Sequence, residues 1–249
     1  MTVILPITKI PREGLPTRAL VVGDPARADA VAAQLDDAQL LGENREYRSY
    51  RGRWRGTDLV VSSHGVGGPG ALCLFTELAA AGVRTYLRLG TAGSLTDTVG
   101  DGDLVVAEAA VRDDGVTPQL VPAEYPSFAT PEAVLALTAA AREHRLRHHR
   151  GLVWTRAAFS PGVLELPVRQ YQAARVIAIE MELSTLLVFA ALRGFTAGGA
   201  LVIDGNASQD NADPTRYSPH RAVVTEAVRA SVAVALDALV SLDVEEDRA

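Results

Sequence analysis

Three short segments of the chain hold residue types that could grip an anion and a sugar. In Gly23-Asp24-Pro25-Ala26-Arg27 a glycine closes an apolar run. A glycine there lets a ligand approach the backbone. A helix starting at Pro25 would turn unpaired N–H groups and a positive dipole end toward that ligand. Arg27 would add a guanidinium fork that matches phosphate. The same residues also make an ordinary turn with a solvated arginine. In Arg88-Leu89-Gly90-Thr91-Ala92-Gly93 the arginine lies inside an apolar run. An unpaired charge there is expensive, so Arg88 needs an anionic partner, either a carboxylate of the protein or a bound anion. The Gly-Thr-Ala-Gly that follows offers a hydroxyl and open backbone at a strand's end, where open α/β sheets bind ligands. In Ile179-Glu180-Met181-Glu182 two carboxylates flank a methionine where a strand passes into a helix. A carboxylate can take both hydroxyls of a vicinal diol such as a ribose, although acidic residues at a helix start also serve as plain caps.

Other candidates carry less. His64 precedes a glycine-rich helix start and could touch an anion, but a satisfied turn histidine is the simpler reading. Residues 142–150 (REHRLRHHR) hold three of the five histidines and read as a solvated helix end rather than a metal site. Trp54 and Trp154 read as packing, and Cys73 as an inert thiol on an apolar helix face. All basic residues but Lys9 are arginine, so an arginine gains meaning here only from its neighbours.

These segments need a scaffold to bring them together. Residues 19–23 (ALVVG) form a continuous apolar run, as in a strand buried on both faces. Asp24 then caps a helix with Pro25 in its first turn and Ala28, Val31, Ala32 and Leu35 at helical spacing. Residues 45–50 and 58–62 alternate like paired strands around a turn at 51–56. Further strands are expected at 85–89, 104–108, 176–179 and 200–203. Helices are expected at 71–80, 130–144, 181–192 and from Ser218 and Pro219 to about residue 239. Strands alternating with helices, plus one early hairpin, predict an α/β fold with a central mixed, twisted sheet flanked by helices. The whole of 1–249 reads as a single domain, with residues 243–249 charged and frayed.

Composition narrows the function. The 249 residues are 48% hydrophobic and 22% charged, enough for a sizeable core. A formal charge of −6 argues against a dedicated nucleic-acid binder. No apolar run is long enough to span a membrane, and the start, MTVILPITKIPREG, has no secretory pattern. One cysteine excludes an internal disulfide or a cysteine-cluster metal site, so a cytoplasmic protein with no metal is expected.

Taken in order, the segments resemble the nucleoside phosphorylases of the trimeric and hexameric kind, and among them bacterial uridine phosphorylase. The resemblance spans about residues 5 to 240. It is carried by Gly23-Asp24-Pro25-Ala26-Arg27, Arg45-Glu46-Tyr47, Gly65-Val66-Gly67-Gly68-Pro69, Leu87-Arg88-Leu89-Gly90-Thr91-Ala92-Gly93, Glu124-Tyr125-Pro126 and Glu180-Met181-Glu182. It implies a phosphorylase/hydrolase-like fold and phosphorolysis, in which phosphate attacks the anomeric carbon and releases base and ribose 1-phosphate. Phosphate is then a co-substrate, and no cofactor is needed. Carried over by position, Gly23, Arg27, Arg88 and Thr91 would hold phosphate, with Arg45 reaching into a neighbouring subunit's site. Met181 and Glu182 would hold the ribose. Gly93, Phe159, Val163 and Glu180 would line the base. Arg88 and Asp204 would be catalytic, with Asp210 the second candidate for the acid. The implied partners are a nucleoside, inorganic phosphate and further copies of the chain, as a dimer or a trimer of dimers with shared sites.

The chain also departs from uridine phosphorylases. Those carry a Gln and an Arg just after Phe-Tyr-Pro-Gly to read uracil; here the segment is Phe159-Ser160-Pro161-Gly162-Val163-Leu164-Glu165, with Val163 and Glu165 in those places. The family also brings a histidine near the amino terminus to the ribose 5′-hydroxyl of the adjacent subunit, where this chain has Ile4 or Ile7. Two other readings fit the motifs. A nucleosidase of the same fold would use water and would not need Arg27, Arg45 and Arg88 together. A catalytically silent relative would only bind nucleosides.

Overall fold

The computed structural model describes residues 3–160, 162–207 and 217–242. Asp210 and the frayed tail expected at 243–249 lie outside the described residues. The chain folds as a mixed α/β unit in which nine strands form one sheet in the order β2-β3-β4-β1-β5-β8-β7-β6-β9. The strands are β1 (Arg18–Val22), β2 (Asp36–Asn44), β3 (Tyr47–Trp54), β4 (Thr57–Ser63), β5 (Thr85–Ser94), β6 (Leu104–Asp113), β7 (His148–Arg156), β8 (Val176–Glu180) and β9 (Thr196–Asn206). The helices are α1 (Pro25–Ala32), α2 (Gly68–Ala80), α3 (Pro131–Glu143), α4 (Val168–Ala173), α5 (Leu183–Ala191) and α6 (Ala222–Ser241). The mixed sheet is as expected, and it is more curved than an open one. β5 also pairs with β9, so β5, β8, β7, β6 and β9 close into a ring, leaving β1 to β4 as a wing. None of the described helices is long and apolar enough to cross a membrane.

The parallel pairings matter most for function. β1 runs parallel to β4 and β5, and β5 parallel to β9. Their carboxyl ends therefore open on the same side, where ligands sit in α/β sheets. Underneath, Phe75 of α2, Tyr86 of β5 and Phe189 of α5 are fully buried and meet with ring centroids 5.8 to 6.2 Å apart. Such aromatic contacts add to the apolar area they bury and hold the two helices against the sheet.

Several elements differ from the sequence reading. The hairpin turn is not 51–56 but Arg55–Gly56, with Trp54 opposite Thr57. Both turn residues have positive φ, 49° and 81°, the backbone that suits a tight hairpin between twisted strands. Arg45 is not in a strand. It forms the turn between β2 and β3 at φ 54°. The strand β2 went unforeseen because its exposed, polar residues show no alternation. Residues 142–150 are not one helix end: α3 stops at Glu143 and β7 begins at His148, pairing with Leu104. His149 Nε2 lies 3.0 Å from Asp103 Oδ2 across these strands, so this histidine is structural. The last helix starts at Ala222 rather than Ser218.

Candidate active site

Gly23 follows the end of β1 and Glu180 closes β8, but Arg88 to Gly93 lie inside β5, which continues to Ser94 rather than ending at Leu89 as expected. Asp24 caps α1 by accepting from Ala26 N at 2.8 Å, and this fixes the first turn that carries Arg27. The glycine-rich stretch after β4 turns through Gly65 (φ 73°) and Gly67 (φ 95°), a backbone that L side chains rarely adopt. That turn aims the Gly67 N–H at Glu182 Oε1, 2.5 Å away. β8 ends in Glu180, whose oxygens accept from Thr155 Oγ1 and from the N–H groups of Glu182 and Leu183. These bonds cap α5 and hold Glu182 at its start.

Arg88 is the centre of the arrangement. It is 4% exposed and forms a close ion pair through Nη2 with Glu182 Oε2. Glu180 Oε2 stands 3.4 Å from the same nitrogen. Burial alone would lower the Arg88 pKa, but Glu182 and Glu180 outweigh it and hold the guanidinium firmly charged. Burial likewise pushes the Glu182 carboxyl upward; Arg88 and the Gly67 N–H outweigh this and keep it ionised. Arg88 still has buried donors without a hydrogen-bond partner, Nε and Nη1. Unmet buried donors on a cation cost stability, so their presence marks a place for an anion.

A second cation, Arg27, is near enough to feel the Arg88 charge. Arg27 is half-buried and, among the described residues, forms no ion pair. Burial and the nearby Arg88 charge lower its pKa, while Asp24, Asp204 and Tyr217 act in the other direction. Gly23 leaves the floor open: a Cβ there would meet nothing closer than the Gly65 carbonyl at 3.5 Å. Two guanidinium groups that repel one another beside an open glycine make a site for a doubly charged anion.

The base-side candidate stands across from it. In β5 and β9, Thr91 is opposite Val202 and Ala92 opposite Ile203, but the next pair is Gly93 with Gly205. Asp204 is the extra residue of this bulge, a device that re-aims a side chain at the end of a strand. It is 3% exposed. Burial raises its pKa against the hydrogen bonds of Tyr217 and Thr91. The Tyr217 hydroxyl donates to Asp204 Oδ2 at 2.6 Å, and the Tyr217 ring lies 5.3 Å from the half-exposed Phe159 ring. Arg27 lies within electrostatic reach of Arg88, Asp204 and Tyr217, so the two arginines and the Asp204–Tyr217–Phe159 group lie near one another.

Residues 17–241 match the phosphorylase superfamily. The chain belongs to that family. Over 96% of its length it is 34% identical to the uridine phosphorylase of Haemophilus influenzae, of which it covers 97%. Over 90% of its length it is 34% identical to the guanosine phosphorylase of Halorubrum lacusprofundi, of which it covers 93%. Among solved structures, purine nucleoside phosphorylase from Toxoplasma gondii in complex with immucillin-H superposes with a TM-score of 0.89 at 32% identity, covering 96% of both chains. Uridine phosphorylase from Vibrio fischeri gives 0.88 at 25% identity, covering 96% of this chain and 98% of that one. The chain is thus a member of the nucleoside phosphorylases, which are pentosyltransferase enzymes.

Within this phosphorylase the remaining assigned residues are placed as follows. Met181 is half-buried at the bend between β8 and α5. Gly93 allows close approach, since a Cβ there would stand 2.7 Å from Ala207 Cβ. Glu180, assigned to the base, instead has its oxygens engaged in the cap of α5. Val163 is fully exposed and Glu165 exposed, on the connection that Phe159 begins. Arg45 is exposed and, among the described residues, has no side-chain hydrogen bond or ion pair. Among the described residues, no group of three or more His, Cys, Asp or Glu could hold a metal ion.

Tyr217 was not singled out from the sequence, and Gly90 and His64 were named there without the contacts they make. Gly90 makes room for the guanidinium, because a Cβ there would stand 1.6 Å from Arg88 Nη1. Its signal was present, a glycine two residues after a buried charge. Tyr217 follows the late strand by too many residues for any local spacing to tie it to Asp204. His64 is only half satisfied: Nδ1 meets the Gly65 carbonyl at 2.8 Å, but Nε2 is buried without a partner.

Proposed function

We propose that this phosphorylase cleaves the N-glycosidic bond of nucleosides with inorganic phosphate, releasing free base and (deoxy)ribose 1-phosphate. The observation that carries the reading is the pair of buried, unmet donors on Arg88 beside Arg27. Water as the nucleophile would bring no counter-charge to Arg27 and no anionic acceptor to Arg88 Nε and Nη1. Phosphate is held by Arg88, Arg27, Thr91 and the open backbone at Gly23. One of its oxygens forms a bond to the anomeric carbon as the bond from that carbon to the base nitrogen breaks. The bonding pair leaves with the base, and Asp204, whose pKa burial raises, supplies a proton to it. Glu182 grips the ribose hydroxyls and favours the positive charge that develops on the sugar. Because Glu182 also touches Arg88, the sugar and the phosphate are positioned by one linked pair of side chains.

The base preference follows from the same cleft. Val163 and Glu165 offer no amide and guanidinium to match uracil, whereas a buried acid beside an aromatic pair suits a base that leaves more readily when protonated, as purines do. At the other end of the sugar, Ile4 or Ile7 of a neighbouring subunit would present an apolar wall to the 5′ group. A purine nucleoside should therefore exceed uridine in kcat/KM by at least about 10-fold, and 5′-deoxyadenosine should stay within about threefold of adenosine. Steady-state assays with phosphate across uridine, 5′-deoxyuridine, adenosine and 5′-deoxyadenosine check both halves. Uridine in the lead, with a tenfold loss on removing its 5′-hydroxyl, would overturn them.

Arg45, exposed at a hairpin tip, is proposed to complete the phosphate site of an adjacent subunit. Mixing Arg45→Ala subunits with Glu182→Ala subunits should then restore activity to about a quarter of the sites in a randomly paired dimer. Reassembled mixtures assayed against each parent variant check this, and mixed oligomers with no recovery would contradict it.

A further inference from the structure

We infer that His64 selects a protonated oxyanion: its bare Nε2 accepts a hydrogen bond from the P–OH of monohydrogen phosphate, so that the site takes phosphate and rejects sulfate. This rests on the phosphate-dependent reading above and names how that site chooses its anion. The tautomer follows from the backbone. Nδ1 stands 2.8 Å from the Gly65 carbonyl oxygen, which can only accept, so Nδ1 carries the proton and Nε2 presents a lone pair. That nitrogen is buried and has no partner. The ring is held in place by the edge of Phe75, with centroids 5.9 Å apart, and by the bond from His64 N to the Val22 carbonyl at 2.9 Å.

The lone pair belongs to the anion site. The point where a Cβ on Gly23 would stand is 3.9 Å from His64 Cε1. The charged groups acting on the ring are Arg88, Glu182 and Arg27. Of the other side chains assigned to phosphate, Arg88 Nε and Nη1 and the Arg27 guanidinium can only donate, while the Thr91 hydroxyl is shared with Asp204. A buried nitrogen that can only accept, beside these guanidinium donors, fits an anion that still holds one proton. Monohydrogen phosphate and its arsenate analogue do; sulfate at neutral pH does not, and would set its own lone pair against that of Nε2. Protonating the ring would relieve the clash, but burial and the nearby Arg88 charge hold its pKa down to about 4.

The test compares anions on the whole protein. Calorimetry should show phosphate and arsenate binding with similar constants and sulfate binding at least about 30-fold more weakly. His64→Gln, whose amide can donate as well as accept, should narrow that gap to within about threefold by gaining affinity for sulfate. A purely structural role for His64 would leave the ratio of the two constants unmoved. Wild-type protein that binds sulfate as tightly as phosphate overturns the selection without any variant. An unchanged gap in His64→Gln overturns the assignment to this residue. Failure of phosphate itself to bind overturns the phosphorolytic reading and this inference with it.

Discussion

Arg88→Ala should remove phosphate-dependent base release and destabilise the protein at the same time. The catalytic loss comes from the charge-assisted contacts that Nε and Nη1 are placed to make with the nucleophile. Losing such contacts in a buried site costs about 2–4 kcal/mol of transition-state binding, or roughly 30- to 900-fold in kcat/KM. The stability loss has a different source. Arg88 separates two buried carboxylates, Glu180 and Glu182, and pairs with both. Removing one partner from such a cluster costs about 3–5 kcal/mol, because the charge left behind has no counter-ion. The two effects can be told apart. In Arg88→Ala/Glu182→Ala part of the stability should return, while activity should not. Denaturant titrations and steady-state rates on both variants check this, and a single variant as stable as wild type would contradict the buried-cluster geometry.

Gly90→Ala should have nearly the same catalytic effect while leaving every ligand-contacting side chain chemically intact. The added methyl would lie 1.6 Å from Arg88 Nη1, a distance that only displacement of the guanidinium can relieve. The backbone at Gly90 is ordinary strand, so alanine itself is tolerated there. Overpacking of this kind costs about 1–3 kcal/mol of stability, and the displaced Arg88 should lower kcat/KM by roughly 100-fold or more. In an Arg88→Ala background the same substitution should cost almost nothing further, since nothing remains to collide with. The double-mutant cycle in kcat/KM reads this directly, and additive losses would show that Gly90 acts through something other than Arg88.

Much of the site was legible because its parts sit on elements with strong local signals. The apolar run of β1, the capped start of α1 and the burial of Arg88 in β5 follow from residue type and spacing, although β5 runs on through Gly90–Gly93 to Ser94 instead of ending at Leu89. What stayed hidden depends on pairing between distant strands. Asp204 reaches the cleft because β9 bulges against β5, and a bulge has no residue signature when the partner strand is unknown. Tyr217 and Phe159 meet although they stand 58 positions apart in sequence. The closing of the sheet through β5 and β9 is equally invisible to local periodicity. In the opposite direction, β2 and the hairpin tip at Arg45 were misjudged because exposed strands lack the alternation that burial imposes. The capping reading of the acidic pair holds for Glu180, whose oxygens accept from the start of α5, while Glu182 is bound to the Gly67 N–H and Arg88.

The measurement that bears most directly on the account is the phosphate dependence of base release with the products identified. Purified protein is incubated with a cleavable purine nucleoside in phosphate-free buffer and across a phosphate titration, and base, sugar phosphate and free sugar are quantified. The account predicts negligible release without phosphate, saturation as phosphate rises, and sugar 1-phosphate formed in equal amount to free base. Release that proceeds as fast in phosphate-free buffer, with free ribose as the product, would contradict it.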